Sequence, residues 1–359
     1  MNRMSIRILA LVVVLLTPLG LQGPRADEGR IPIYKQATIT TPGHYVVTRD
    51  FSFSLGTGVF IKADNVTLDL NGHTITGAPG ANVVIRIDTA FATRGLVIRN
   101  GRLLFGSNGV FSEATNRLSI RIEDVEVEGP TNSGININAA ESVEVLNCYV
   151  HDVASFSGIR AIGVTGSFTG NISDNTVDNV AQYGILLDGL VGGEVRRNVV
   201  TNYGSATVNL GGIYLFATSP AWGAGGNLLE GNTVTALPAG IDDDGIRIAG
   251  NTHNNVILNN NVKGCRYGIF SIGDWTRIER NLVSNSSIHG ILVGSGATGS
   301  FSHVEENQTQ ANLGAGSCGI RFDNGNGNTS RNNNVRGNTV AGVCNGTLGT
   351  NVDGGGNIP

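Results

Sequence analysis

One six-residue pattern, apolar-x-x-Asn-x-apolar, recurs along most of this chain and constrains its fold more than any other feature. It reads Ile172-x-x-Asn175-x-Val177, Val195-x-x-Asn198-x-Val200, Leu229-x-x-Asn232-x-Val234, Ile257-x-x-Asn260-x-Val262, Ile278-x-x-Asn281-x-Val283 and Val335-x-x-Asn338-x-Val340. Val304-x-x-Asn307-x-Thr309 is a near match. Leu68-x-x-Asn71 and Val97-x-x-Asn100 are earlier copies, and Val125 and Cys148 take the Asn place in two more. The eleven copies stand 21 to 34 residues apart. A second pattern, Gly-Ile-x-apolar, interleaves at Gly134, Gly158, Gly184, Gly212, Gly245, Gly268, Gly290 and Gly319.

The period of two inside each motif predicts strands with one face buried and one solvated. No helical pattern separates the copies, so crossover helices are not expected. A fixed motif at variable spacing implies a coil whose strands stay in register while its turns vary in length. The expectation is an all-β, single-domain, right-handed parallel β-helix of about eleven rungs, roughly 48 Å long at ~4.8 Å per rung. Asn repeated at one bend should stack into an internal ladder whose amides satisfy one another.

Composition agrees. Among 359 residues, 52 Gly and 39 Asn are poor helix formers. With 40% apolar and only 14% charged residues the chain can build a core and is no charged disordered tail. A net charge of −4 gives no footprint for nucleic acid. Arginine outnumbers lysine 21 to 3, a bias that suits bidentate contacts with carboxylates.

Arg3 and Arg7 precede an apolar run at 8–16, the pattern of a signal peptide, here taken as 1–26, with an uncleaved anchor as the alternative. Its removal would leave 21 basic and 28 acidic residues (21 − 28 = −7), no membrane span, and a secreted or periplasmic protein. The expected organisation is an N-terminal cap at 27–57, the β-helix at 58–345 and a Gly-rich tail at 346–359. The Asn/Gly run at 323–334 reads as a turn insertion, with a calcium loop as the alternative. Four cysteines are too scattered for a disulfide scaffold or a zinc site. Only Cys318 and Cys344 are near enough to meet on adjacent rungs, although their offset along the strand looks unfavourable for a bridge.

The segment Asp64-Asn65-Val66-Thr67-Leu68-Asp69-Leu70-Asn71-Gly72-His73-Thr74-Ile75, with Thr41-Pro42-Gly43-His44-Tyr45-Val46-Val47 upstream, resembles secreted bacterial β-helix proteins of the pectate-lyase-like superfamily. The resemblance spans about residues 36–345. It implies the fold, which hosts lyases, hydrolases, epimerases, esterases, depolymerases and non-catalytic adhesins.

Stacked strands turn sequence positions into columns. After each Gly-Ile the outward column reads Asn136, Arg160, Leu186, Tyr214, Arg247, Phe270, Leu292 and Arg321. Arginines and rings there suit an acidic polysaccharide, and an ordinary solvated sheet face would look the same. Before each Gly the column reads Ser133, Ser157, Tyr183, Gly211, Asp244, Tyr267, His289 and Cys318. Asp244, Tyr267 and His289 are thus expected on three neighbouring rungs of one exposed stripe. Arg247 should reach the same cleft and Trp222 or Trp275 form its wall. Arg160, Tyr214, Trp222, Trp275 and Arg321 are the candidate substrate-binding residues, and Asp242 and Asp243 candidate Ca²⁺ ligands.

Three functions compete. A lyase or epimerase acting on uronates needs a cation on the carboxylate, a base and often an acid, roles open to Arg247 (or Ca²⁺), His289 and Tyr267. A hydrolase needs two carboxylates. Asp244-Gly245, His289-Gly290 and Gly319-Ile320-Arg321 resemble three of four polygalacturonase motifs, but Arg266-Tyr267 stands where an Asp-Asp pair would be expected. The third function is a non-catalytic β-helix that binds glycan or protein. His73 with Asp69, and His151 with Asp152, read as structural.

Overall fold

A computed structural model describes residues 29–78, 82–113, 115–163, 167–204, 210–218, 224–236, 243–295, 299–312, 314–323, 325–345 and 351–358. These residues form a parallel β-helix with three strands per turn. Tyr149–Val153, Ile159–Gly163 and Thr169–Ser173 make up one turn, and each pairs in parallel with its equivalent one turn on. Ile135, Ile159, Ile185, Ile213, Ile246, Ile269, Ile291 and Ile320 form one fully buried interior row. Residues 30–53 pair with the first turns of this coil: Arg30–Ile33, Ala37–Ile39 and Phe51–Phe53 each pair with a strand of the next turn.

The Asn ladder is present and continuous through Asn175, Asn198, Asn232, Asn260, Asn281, Asn307, Asn333 and Asn357. Each amide works in both directions. Asn232 Nδ2 donates to the Val195 carbonyl at 2.8 Å and to Asn260 Oδ1 at 2.9 Å, while its Oδ1 accepts from Asn198 N and Nδ2, both at 3.0 Å. Asn232→Ala would leave buried donors and a carbonyl unpaired, and we expect a loss of about 1–3 kcal/mol in chemical denaturation. An unchanged midpoint with an unchanged slope would refute the role.

The expected register fails at both ends of the ladder. Val125 pairs with Gly101, so Gly101 and not Asn100 holds the ladder place in that rung. Asn71, in a turn, and Asn100, within the strand Leu96–Leu104, are exposed with φ of 53° and 61°, a left-handed conformation that Asn tolerates for a different reason. In the last rungs the ladder runs through Asn333 and Asn357, and Asn338 instead joins a separate stack with Asn312. The segment 323–334 is accordingly no simple insertion: Thr329–Arg331 is a strand of the coil and Asn328 receives the main-chain N–H of Ser302. Part of the tail also joins, with Val352–Asp353 pairing onto Thr329–Arg331.

The two sequence motifs turn out to be halves of one contact. A Cβ added at Gly245 would lie 2.2 Å from Val262 Cγ1 and 2.4 Å from the Gly268 carbonyl; at Gly268 it would lie 2.1 Å from Val283 Cγ1. The Val after each ladder Asn fills the space that the Gly of Gly-Ile leaves open. Cys318 and Cys344 are bridged, with Cα atoms 6.1 Å apart, although in the strand register Cys318 faces Val340 and Cys344 faces Arg321.

Candidate functional site

The strands Gly211–Phe216, Asp244–Ile248, Tyr267–Ser271, His289–Val293 and Cys318–Phe322 lie side by side on one sheet. Their register places Tyr214, Arg247, Phe270, Leu292 and Arg321 in one column, with Arg160 two rungs before Tyr214. It also brings Tyr267 opposite His289, with Asp244 one rung before Tyr267. The stripe is less open than expected. Asp244 is 0% and His289 6% exposed, and Phe270 and Leu292 are buried, whereas Tyr267 is half-buried.

Asp244 is committed to structure. Its Oδ2 meets Arg247 Nη1 at 3.0 Å and its Oδ1 meets Arg266 Nη2 at 3.2 Å. Burial outweighs both guanidiniums and pushes its carboxyl up to about 6, which leaves it ionised at neutral pH. Arg247 is itself sandwiched between Tyr214 and Phe270, 5.2 and 5.1 Å from their ring centroids. An arginine packed on two faces and paired at its tip is a poor mobile clamp.

Tyr267 and His289 are different. Their rings stack with centroids 5.8 Å apart. His289 Nδ1 accepts the Cys318 main-chain N–H at 3.1 Å, so in the neutral ring the proton sits on Nε2. Neither Nε2 nor the Tyr267 hydroxyl has a hydrogen-bond partner among the described residues. Burial, assisted by Arg321, lowers the imidazole to about 4. Burial raises the Tyr267 phenol, while Arg266 and Arg321 pull it the other way. Arg266 lies 4.6 Å from the Tyr267 ring centroid. Arg321 is 36% exposed and reaches Asp323 at 3.4 Å. With Nδ1 occupied in this way, neutral His289 presents Nε2–H as a hydrogen-bond donor at neutral pH.

That imidazole has a consequence for stability. Its folded value of about 4 lies below the ordinary 6.5, so between those limits the unfolded chain binds a proton that the folded chain refuses. Its contribution is complete above about 6.5 and is lost as pH falls toward 4. His289→Gln should therefore gain on the wild type as pH drops through this window, read as the difference in melting temperature. A constant difference would show that His289 titrates normally.

The remaining candidates scatter. Trp275 sits in the turn beyond the far end of Tyr267–Ser271, stacked on Phe301 at 4.7 Å, and is no wall of this site. Arg160 bonds Asn136 and Asn138 at 2.9 and 3.0 Å. Tyr214 stacks between Tyr183 and Phe216. Trp222 and Asp242 lie outside the described residues. Asp243 is buried and accepts the Leu210 N–H at 3.2 Å, and Asp244 is held by two arginines. His73 pairs with Asp50 and His151 with Asp152 and Glu126. Arg266, in sequence only a departure from a hydrolase motif, joins the site through Asp244 and the Tyr267 ring, and its place before Tyr267 is the signal for it.

Such a site on the flank of a parallel coil defines a class, the β-helix proteins that present side chains from successive rungs. Residues 57–234 match the family described as the right-handed β-helix region, in keeping with the parallel coil seen here. Among solved structures it is similar to the A-module of the Azotobacter vinelandii mannuronan C-5 epimerase AlgE6, with 16% identity over 88% of this chain and 90% of that one and a TM-score of 0.61. It is also similar to a double mutant of the periplasmic alginate epimerase AlgG, with 12% identity over 85% of this chain and 78% of that one and a TM-score of 0.53. No curated protein matches the chain.

Proposed function

We propose that this is an exported β-helix protein that binds an acidic polysaccharide and abstracts a proton beside a uronate carboxylate, in the manner of a lyase or epimerase. The observation that carries the reading is the stacked Tyr267–His289 pair, whose two polar tips are both uncommitted and flanked by Arg266 and Arg321. A carboxylate laid against His289 Nε2–H and Arg321 would have its charge offset, which acidifies the neighbouring C5–H. The Tyr267 oxygen, once ionised, would take that proton. In elimination the electron pair forms the new double bond as the glycosidic C–O bond breaks, and the Tyr267 hydroxyl returns the proton to the leaving oxygen. In epimerisation a solvent water protonates C5 from the opposite face, and Tyr267 gives the proton it took to the hydroxide so formed.

Support for a uronate comes also from the two fold neighbours, named for mannuronan and alginate. The apolar run after Arg3 and Arg7 supports export to the periplasm or beyond. Among the described residues no helix is long and apolar enough to cross a membrane. The test is incubation with uronate and neutral polysaccharides in D₂O. Deuterium at C5 without cleavage marks an epimerase, and absorbance of unsaturated uronates marks a lyase. Neither signal on any polyuronate sinks proton abstraction.

A non-catalytic glycan binder is the second reading, favoured by one observation: Asp244 and the Nδ1 of His289 are tied into the scaffold. It predicts affinity without exchange. A polygalacturonase-like hydrolase draws little support, because Arg266 fills the place of an acid and Asp244 is neutralised by it.

A further inference from the structure

We propose a second saccharide-binding subsite at the opposite end of these strands, a shelf whose wall is the indole face of Trp275. Consecutive main-chain hydrogen bonds align Gly226, Asn254, Trp275 and Phe301 as one column of turn residues. All four have positive φ, at 67°, 54°, 56° and 57° in that order. Gly and Asn adopt that conformation readily, whereas bulky side chains there are outliers. Trp275 and Phe301 nonetheless hold it while 53% and 45% exposed. Strain and solvent-facing rings in one place point to a ligand rather than to packing.

The step in the column gives the shape. Phe301 covers one side of Trp275 at 4.7 Å, and the next residues on the other side are Asn254 and then Gly226. The floor is open: a Cβ at Gly226 would meet nothing nearer than the Gly192 backbone at 4.0 Å. Asn254 and His253 are exposed beside it. One flat ring face edged by short polar side chains suits the C–H face and hydroxyls of a pyranose. A protein partner would need a broader apolar surface. The ligand class rests on the functional reading above; the place does not.

The chain has two tryptophans, so Trp222→Phe leaves Trp275 as its sole indole emitter. Titration of that variant with mannuronan oligomers should change its emission saturably. Asn254→Phe, which fills the shelf, should abolish the response, and Trp275→Ala should weaken binding about tenfold. Emission that stays constant with every uronate and neutral oligomer, while acrylamide still quenches it, overturns the subsite. So does a Trp275→Ala variant that melts earlier yet binds as before. Turnover with a silent Trp275 sinks this inference alone, and a responsive Trp275 without deuterium exchange sinks the catalytic reading alone.

Discussion

Asp244→Ala should destabilise the protein by about 3–5 kcal/mol, the cost of stranding buried positive charge. The carboxylate is fully enclosed and holds Arg247 and Arg266, at 3.0 and 3.2 Å, across two neighbouring rungs. Removing it leaves two guanidiniums packed against aromatic rings without the carboxylate that both of them contact. Asp244→Asn keeps the shape but not the charge and should fall between the wild type and Asp244→Ala. Equilibrium denaturation of both at pH 7, well above the carboxyl's value of about 6, measures the effect with the group ionised. A loss below about 1 kcal/mol for Asp244→Ala would mean that the pair is no better than a surface salt bridge. The expectation bears on function too, because a residue that holds the scaffold cannot be assigned to catalysis from activity loss alone. Any such loss must be read on protein shown to be folded.

The coil was legible because its signal is periodic. Alternating apolar positions fix which side chains point inward, and a strand cannot slip by one residue without exposing its buried face. The outward column from Asn136 to Arg321 follows directly from that rule, and it pairs residue by residue as expected. Where the signal depended on residue identity instead of period, it misled. Asn suits both a buried ladder and a left-handed turn, so Asn71 and Asn100 look like ladder members and are not. The arginine excess looked like a substrate grip. Most of it goes into cross-rung ion pairs, as in Arg99–Asp69, Arg121–Glu144, Arg197–Asp174 and Arg331–Glu305. Column position also carries no information about depth. Asp244 shares a column with Tyr267, yet one is sealed between arginines and the other keeps its hydroxyl free. Nor does it say where a turn folds, which is why Trp275 was placed beside a site that it does not touch.

If Tyr267 moves the proton, Tyr267→Phe should lower kcat by about 10²–10⁴-fold on a polyuronate and leave binding nearly unchanged. The substitution removes one oxygen that makes no hydrogen bond among the described residues. It keeps the ring that stacks on His289 at 5.8 Å and meets Phe270 at 5.3 Å. The melting temperature should therefore stay close to that of the wild type, which separates this variant from Asp244→Ala. The pH dependence supplies a second, independent readout. Burial raises the phenol above its ordinary value, so the reactive phenolate is scarce at neutral pH and grows as pH rises. Turnover should climb through the alkaline range and not level off near 6.5, where an ordinary histidine base would. His289→Gln, which can still donate a hydrogen bond toward the carboxylate, should keep that rising limb while weakening KM. A rising limb that persists in Tyr267→Phe at undiminished rate would assign the proton to another group and leave Tyr267 as a sugar-stacking ring.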